Sequence, residues 1–474
     1  MAAMRNLALV LALCAALVAN AQAPADTLPI TTLSEKAREL YTRALSDSMN
    51  FHLERALTDW RAAVKLDPNF ALANLFIAFR TQDPVEAKAA LKKANAAAPH
   101  STAGERLMVK WITGVREGNF VSGIAAMNDL VAMYPKDKQL LSLAGNWLMV
   151  RGSYDRAADL LNRALEVDPG YPPALNSAAY AYAQMGDFAQ ATTLMERYAK
   201  ALPNEPNAQD SYAEILRMAG KFDEAVERYQ AALKIEPGFS IMGLADTYAL
   251  KGDEQRARAE YARCNEQAEM SEDRILCRLQ MPITYVREKN YKAADEAYLA
   301  AAKWAHAKGL GLMEAQAHRL MAEYQPKDDA ALMHLQQAET TLKEHPNVSK
   351  SDADEERARI LRWRYVRMTH AGKQAPASQV LAQLRTLASG NASEIVQREY
   401  AIAAGAMALA GHDAKHAIPY LREGRNDAFA MEMLVRAYEQ TGDKESLAAA
   451  RTALGNLNLP TMDQALVVPA FRGK

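Results

Sequence analysis

A chain of 474 residues that is 50% hydrophobic and 7% aromatic, with only 22 glycines and 19 prolines, has the composition of a folded helical protein with a large core, which excludes a disordered chain. Lys and Arg (56) nearly cancel Asp and Glu (57), so no overall basic field exists to gather nucleic acid or anionic lipid.

Residues 1–21 read as an export signal. Arg5 supplies the positive start, residues 7–19 form an apolar run, and Ala19-Asn20-Ala21 offers a small-x-small cleavage site before Gln22. The run has 13 residues where a spanning helix needs roughly 20, so cleavage is the better reading than an anchor. Leu13 stands before Cys14 where a lipidation signal would carry a small residue. The mature chain is therefore expected in the periplasm or outside the cell, without a membrane span. Residues 22–33 are expected as an exposed leader before a first helix near Ser34.

From 34 to 302 the text repeats. Pro169, Pro203 and Pro237 are 34 residues apart, and Gly152, Gly186 and Gly220 keep the same step. Each glycine opens a similar phrase: Tyr154 and Ala157, Phe188 and Ala191, Phe222 and Ala225. Small Gly145, Ala179 and Ala213 fall where two helices would touch. In residues 207–219 and 222–235 apolar positions recur at helical spacing, which predicts two amphipathic helices per unit. The glycine can take the left-handed conformation that ends the first helix, and the proline prevents continuation of the second. One pair cannot bury its own apolar face, whereas stacked pairs bury it continuously.

Looser copies flank this core. Upstream stand Ala56, Trp60, Ala63 and Pro68, then Ala87, Leu91, Ala94 and Pro99, then Gly118, Phe120 and Pro135. Downstream come Gly252-Asp253 with Ala257 and Tyr261, and the run from Tyr291 to Tyr298. Cys264 and Cys277 lie equidistant from a turn near residue 270, so a hairpin sets them at one height. A disulfide needs both side chains turned inward with Cα atoms within about 7 Å; otherwise they are two buried thiols. Residues 303–390 read as irregular helices, for example 328–345 and 351–369. Residues 391–458 return to helix pairs marked by Gly411, Ala417, Tyr438 and Gly442, and 459–474 read as a tail.

The Gly, Pro, aromatic and small-residue positions together resemble the tetratricopeptide repeat (TPR) family. The resemblance implies an all-α, right-handed superhelical solenoid of antiparallel helix pairs, with the first helix of each pair lining a concave groove. Carried onto this sequence, the groove positions are Gln139, Ser142 and Asn146, then Asn176, Tyr180 and Gln184, then Asn207, Asp210, Glu214 and Arg217. Only Arg217 is cationic, and Glu214 stands one turn away to pair with it, so a clamp for a terminal carboxylate is not expected. Amides suit the backbone of an extended peptide, because each offers both donors and acceptors.

Catalytic text is missing: the sequence has no Gly-x-Gly-x-x-Gly, phosphate loop or Gly-x-Ser-x-Gly elbow. Gly309 and Gly311 read as a loop, and His412 and His416 as two surface histidines rather than metal ligands. Glu355-Glu356 reads as a solvated face, and Met127, Met185, Met195 and Met218 as core filler. The expected function is an exported, non-enzymatic scaffold without cofactor or metal, holding a protein or peptide segment in the groove around Asn146, Tyr180 and Arg217. The alternatives are an enzyme or small-molecule site within 303–390, and a spacer subunit of an envelope complex.

Overall fold

The computed structural model describes residues 26–473, except 51, 82, 269–270 and 346–347. The expected signal segment lies outside the described residues. Every extended element among those described is an α-helix, and consecutive helices pair antiparallel.

The array starts with α1 (Glu35–Met49), where the Ser34 hydroxyl accepts from the Ala37 N–H and caps the helix. Its pairs continue as α2 (Leu53–Leu66), α3 (Ala71–Arg80), α4 (Pro84–Ala97), α5 (Ala103–Arg116) and α6 (Phe120–Met133). The regular repeats are α7 (Lys138–Val150) with α8 (Tyr154–Val167), α9 (Pro172–Gln184) with α10 (Phe188–Ala201), and α11 (Pro206–Met218) with α12 (Phe222–Ile235). Gly152, Gly186 and Gly220 have φ of 89°, 86° and 78°, the left-handed turn expected of them. At Gly145 a Cβ would lie 2.6 Å from Leu161 Cγ, so the absent side chain is what lets α7 and α8 approach. Tyr154, Phe188 and Phe222 begin the second helices.

The solenoid continues as α13 (Ile241–Lys251), α14 (Glu254–Gln267), α15 (Ser271–Arg287), α16 (Tyr291–Ala307), α17 (Gly311–Tyr324) and α18 (Asp328–Glu344). Then follow α19 (Lys350–His370), α20 (Gln374–Ser389), α21 (Glu394–Ala410), α22 (Ala414–Arg422), α23 (Ala428–Thr441), α24 (Lys444–Gly455) and α25 (Met462–Val467). Cys264 in α14 and Cys277 in α15 meet across their hairpin with Cα atoms 6.1 Å apart and are joined as a disulfide. At the α21–α22 turn the left-handed residue is His412 (φ 60°), not Gly411.

Residues 26–33, expected as an exposed leader, instead lie as a strap across the first pairs. The Leu28 N–H donates to Asp137, Thr31 donates through its N–H and hydroxyl to Glu105, and the Thr32 hydroxyl donates to Asp67, each at 2.7–2.8 Å. Asp67, Glu105 and Asp137 are all buried, and the strap gives each of them a donor.

The expected tail also has a place. Met462 and Ala465 of α25 join the apolar cluster of α15, α16 and α17. The Asn458 amide donates to the Met218 carbonyl at 3.2 Å, and Arg472 reaches the Leu250 carbonyl at 3.4 Å. Two more bridges join distant parts: Arg151 pairs with Glu355, and the Asn426 amide donates to Gln184 at 2.7 Å. The C-terminal half thus closes onto the ends of the first helices of the repeats, at their glycine turns.

Candidate binding cavity

Most of the expected groove residues are engaged within the repeats themselves. Asn176 and Asn207 are buried, and the Asn207 amide donates to the Tyr198 hydroxyl at 2.7 Å. Arg217 is 2% exposed and donates to Glu214 at 2.7 Å, while the Tyr180 hydroxyl donates to the other Glu214 oxygen at 2.7 Å. Asn146 is half-buried, and Gln184 is taken up by Asn426. The structure gathers Tyr180, Asp210, Glu214 and Arg217 into one polar cluster in which Arg217 is buried and the other three are half-buried. Leu459 packs on the array core close by.

This cluster runs on into α13 and α14. Burial and the Glu214 charge push the Asp210 carboxyl up to about 7. Burial raises Asp246 to about 6, although Arg217 and the Tyr261 hydroxyl, which donates to it at 2.5 Å, pull the other way. In the C-terminal half burial takes Glu323 to about 7 against the pull of Arg319. All three groups bind a proton more tightly when folded than the ordinary carboxyl values of 3.8 and 4.5 imply for the unfolded chain. Between about pH 4 and 7 the folded chain then holds more protons, so the stability these groups contribute is greatest in acid and declines as pH rises through 6 to 7. The expected outcome is a higher Tm near about pH 5 than near pH 8, a difference reduced in Asp210→Asn and Asp246→Asn. Thermal melts across that range check it.

Closure also leaves a central cavity of about 1200 Å³. One side is the α7–α8 turn from Arg151 to Arg156 and the end of α9 at Gln184; the other is α15, α17, α19, α21, the end of α22 and residues 459–463. Its floor is an ion-pair network. Arg319 pairs with Glu323 and, at 2.5 Å, with Glu356; Arg362 lies 2.9 Å from Glu399 and 2.5 Å from Asp427. Burial alone would favour loss of the Arg362 proton, but Asp427 and Glu399 outweigh it and keep the guanidinium charged. Glu355 and Glu356, expected on a solvated face, are both buried, and Arg151 and Arg319 are their counterions.

Two apolar side chains remain open here: Leu276 is 36% exposed and Tyr420 42%, and both line the cavity. Met127, Met195 and Met218 are core, as expected. His412 and His416 are exposed, and His416 Nδ1 turns to Asp413 at 2.7 Å. The structure brings one set of metal-type donors together that spacing did not reveal: His306, Glu314 and His345. No helix among the described residues is long and apolar enough to cross a membrane.

Family models described as tetratricopeptide repeat match residues 115–172 and 148–215. A small glutamine-rich tetratricopeptide repeat-containing protein of Mycosarcoma maydis is 28% identical over 118 residues, 23% of this chain and 34% of that protein. The chain thus spans about a third of that relative's length. Among solved structures, the Cut9–Hcn1 hetero-tetramer of APC/C is similar at 16% identity and a TM-score of 0.44, covering 87% of this chain and 78% of that one. A tetratricopeptide repeat protein from Parabacteroides merdae is 16% identical at a TM-score of 0.36, covering 57% and 94%. YrrB, described as a TPR protein with an unusual peptide-binding site, is 18% identical at a TM-score of 0.27, covering 38% and 92%. With matching repeat text, and the glycine turns, close helix approaches and stacked pairs that this text requires, residues 115–215 are tetratricopeptide repeats, and the chain resembles that family as an all-helical repeat solenoid.

Proposed function

We propose that this chain is an exported, non-enzymatic interaction scaffold that holds an extended segment of a partner protein in its central cavity. The observation that carries this reading is the pairing of Leu276 and Tyr420 as open apolar contacts in a cavity of about 1200 Å³, larger than the roughly 300–1000 Å³ of small-molecule pockets. Around them Gln280 and Gln316 supply amides for a peptide backbone. Asn176, Asn207 and Arg217 are buried, so the partner enters elsewhere, between the α7–α8 turn and α21. Nucleic acid is not an expected partner, because cavity arginines and acids balance.

Replacing Leu276 and Tyr420 together with alanine should weaken capture of the native envelope partner by about 2 kcal/mol while leaving helicity and Tm nearly unchanged. Equal capture by the double variant would place the site elsewhere. The export part of the proposal has its own test in intact-mass measurement. The secreted chain should begin at Gln22 and weigh two hydrogens less than its sequence, one lost from each of Cys264 and Cys277 on bonding. A mass that retains Cys14, or both thiol hydrogens, contradicts it.

A further inference from the structure

Three helix ends meet beside the turn that joins α16 to α17, and each brings a ligand-type side chain. His306 lies in the last turn of α16, Glu314 in the first turn of α17, and His345 immediately after α18. His306 Nδ1 is 3.0 Å and His345 Nε2 3.5 Å from the same oxygen, Glu314 Oε2. All three donor atoms lie within 4.8 Å of one another. A tetrahedral Zn²⁺ with bonds of about 2.0–2.1 Å holds its ligand atoms about 3.3 Å apart, so the two separations to the carboxylate bracket the spacing the ion requires.

The surroundings favour an ion over a simple ion pair. Glu314 is 8% exposed, and its ionic partners among the described residues are these two imidazoles, with no Lys or Arg. Glu314 thus stands as a buried carboxylate with no permanent cation beside it, and a divalent ion held with the two imidazoles would supply the compensating charge. Gly311 is shaped to this arrangement: a Cβ there would lie 2.2 Å from His345 Cγ, so glycine is what allows the ring to lie against the first turn of α17. The His306 ring is exposed, which gives an ion access from solvent and leaves a fourth coordination position open.

We propose that His306, Glu314 and His345 form a binding site for a divalent transition-metal ion of the Zn²⁺ class, tying the ends of α16, α17 and α18 together. Imidazole with one carboxylate suits such ions, and the site is independent of the cavity and its partner. The ion binds the folded chain, so it should also raise the melting temperature.

The test uses the full chain freed of metal by chelator and dialysis, then titrated with Co²⁺ followed by Zn²⁺. One equivalent of Co²⁺ should give the visible absorption of a tetrahedral site, Zn²⁺ should displace it, and Tm should rise. His306→Ala, on an exposed ring, should weaken binding at least about tenfold without changing the metal-free Tm. His345→Ala should do the same to the Co²⁺ spectrum. Absence of a Co²⁺ spectrum overturns the proposal, and so does a spectrum that both variants leave unchanged, which would place the ion elsewhere, for example at His412 and His416.

Discussion

Replacing Arg362 with alanine is expected to destabilise the fold by about 3–5 kcal/mol. Arg362 is 7% exposed, and its guanidinium lies against Glu399 on α21 and Asp427 before α23. Removing it leaves two carboxylates without their counterion, close to Glu323 and Asp463, whose acids are themselves pushed up by burial. The cost arises from the stranded charges more than from a lost attraction. Adding Glu399→Gln to the variant should therefore recover part of the loss, because one stranded charge is removed. Urea unfolding of the parent, single and double variants measures both effects, and a single-variant loss below about 1 kcal/mol would mean that water reaches the network freely.

Ending the chain after Asn456 should have an effect of similar size. Met462, Val467 and Val468 are all buried, and at about 1.5–3 kcal/mol for each buried apolar side chain their loss amounts to roughly 5 kcal/mol or more. Deletion also strips Arg287 of Gln464 and the Met218 carbonyl of Asn458. The expected result is a lower Tm and, by small-angle scattering, a larger radius of gyration as the C-terminal half parts from the repeats. A truncated chain with unchanged Tm and dimensions would show that the segment does not hold the two halves together.

The sequence made the repeats legible because their determinants are local. Gly152, Gly186 and Gly220 announce a backbone conformation, Gly145 a close approach, and Pro169, Pro203 and Pro237 a helix end, each within a few residues of its consequence. Helix 222–235 was legible to the residue for this reason. What lay hidden depends on contacts between distant parts of the chain. Glu355 and Glu356 look solvated beside charged neighbours, yet their counterions Arg151 and Arg319 come from the α7–α8 turn and from α17. Residues 26–33 look like a free leader because Asp67, Glu105 and Asp137, which bind them, are spread over three repeats. The apolar residues 465–468 were a usable sign that the tail docks, being too hydrophobic to remain in water. His306, Glu314 and His345 gave no such sign, since three separate helix ends supply them.

The central claim is that the chain closes its C-terminal half onto its repeats, so that a partner is held in the cavity between them and not on the exposed surface outside it. Site-specific photo-crosslinking in the native host tests it most directly, with the reactive group placed in turn at Tyr420, at Leu276, and at Val121, which is exposed on α6 and does not line the cavity. The account predicts one and the same protein adduct from positions 420 and 276, and none from 121. An adduct from 121 with none from 420 or 276 would contradict it.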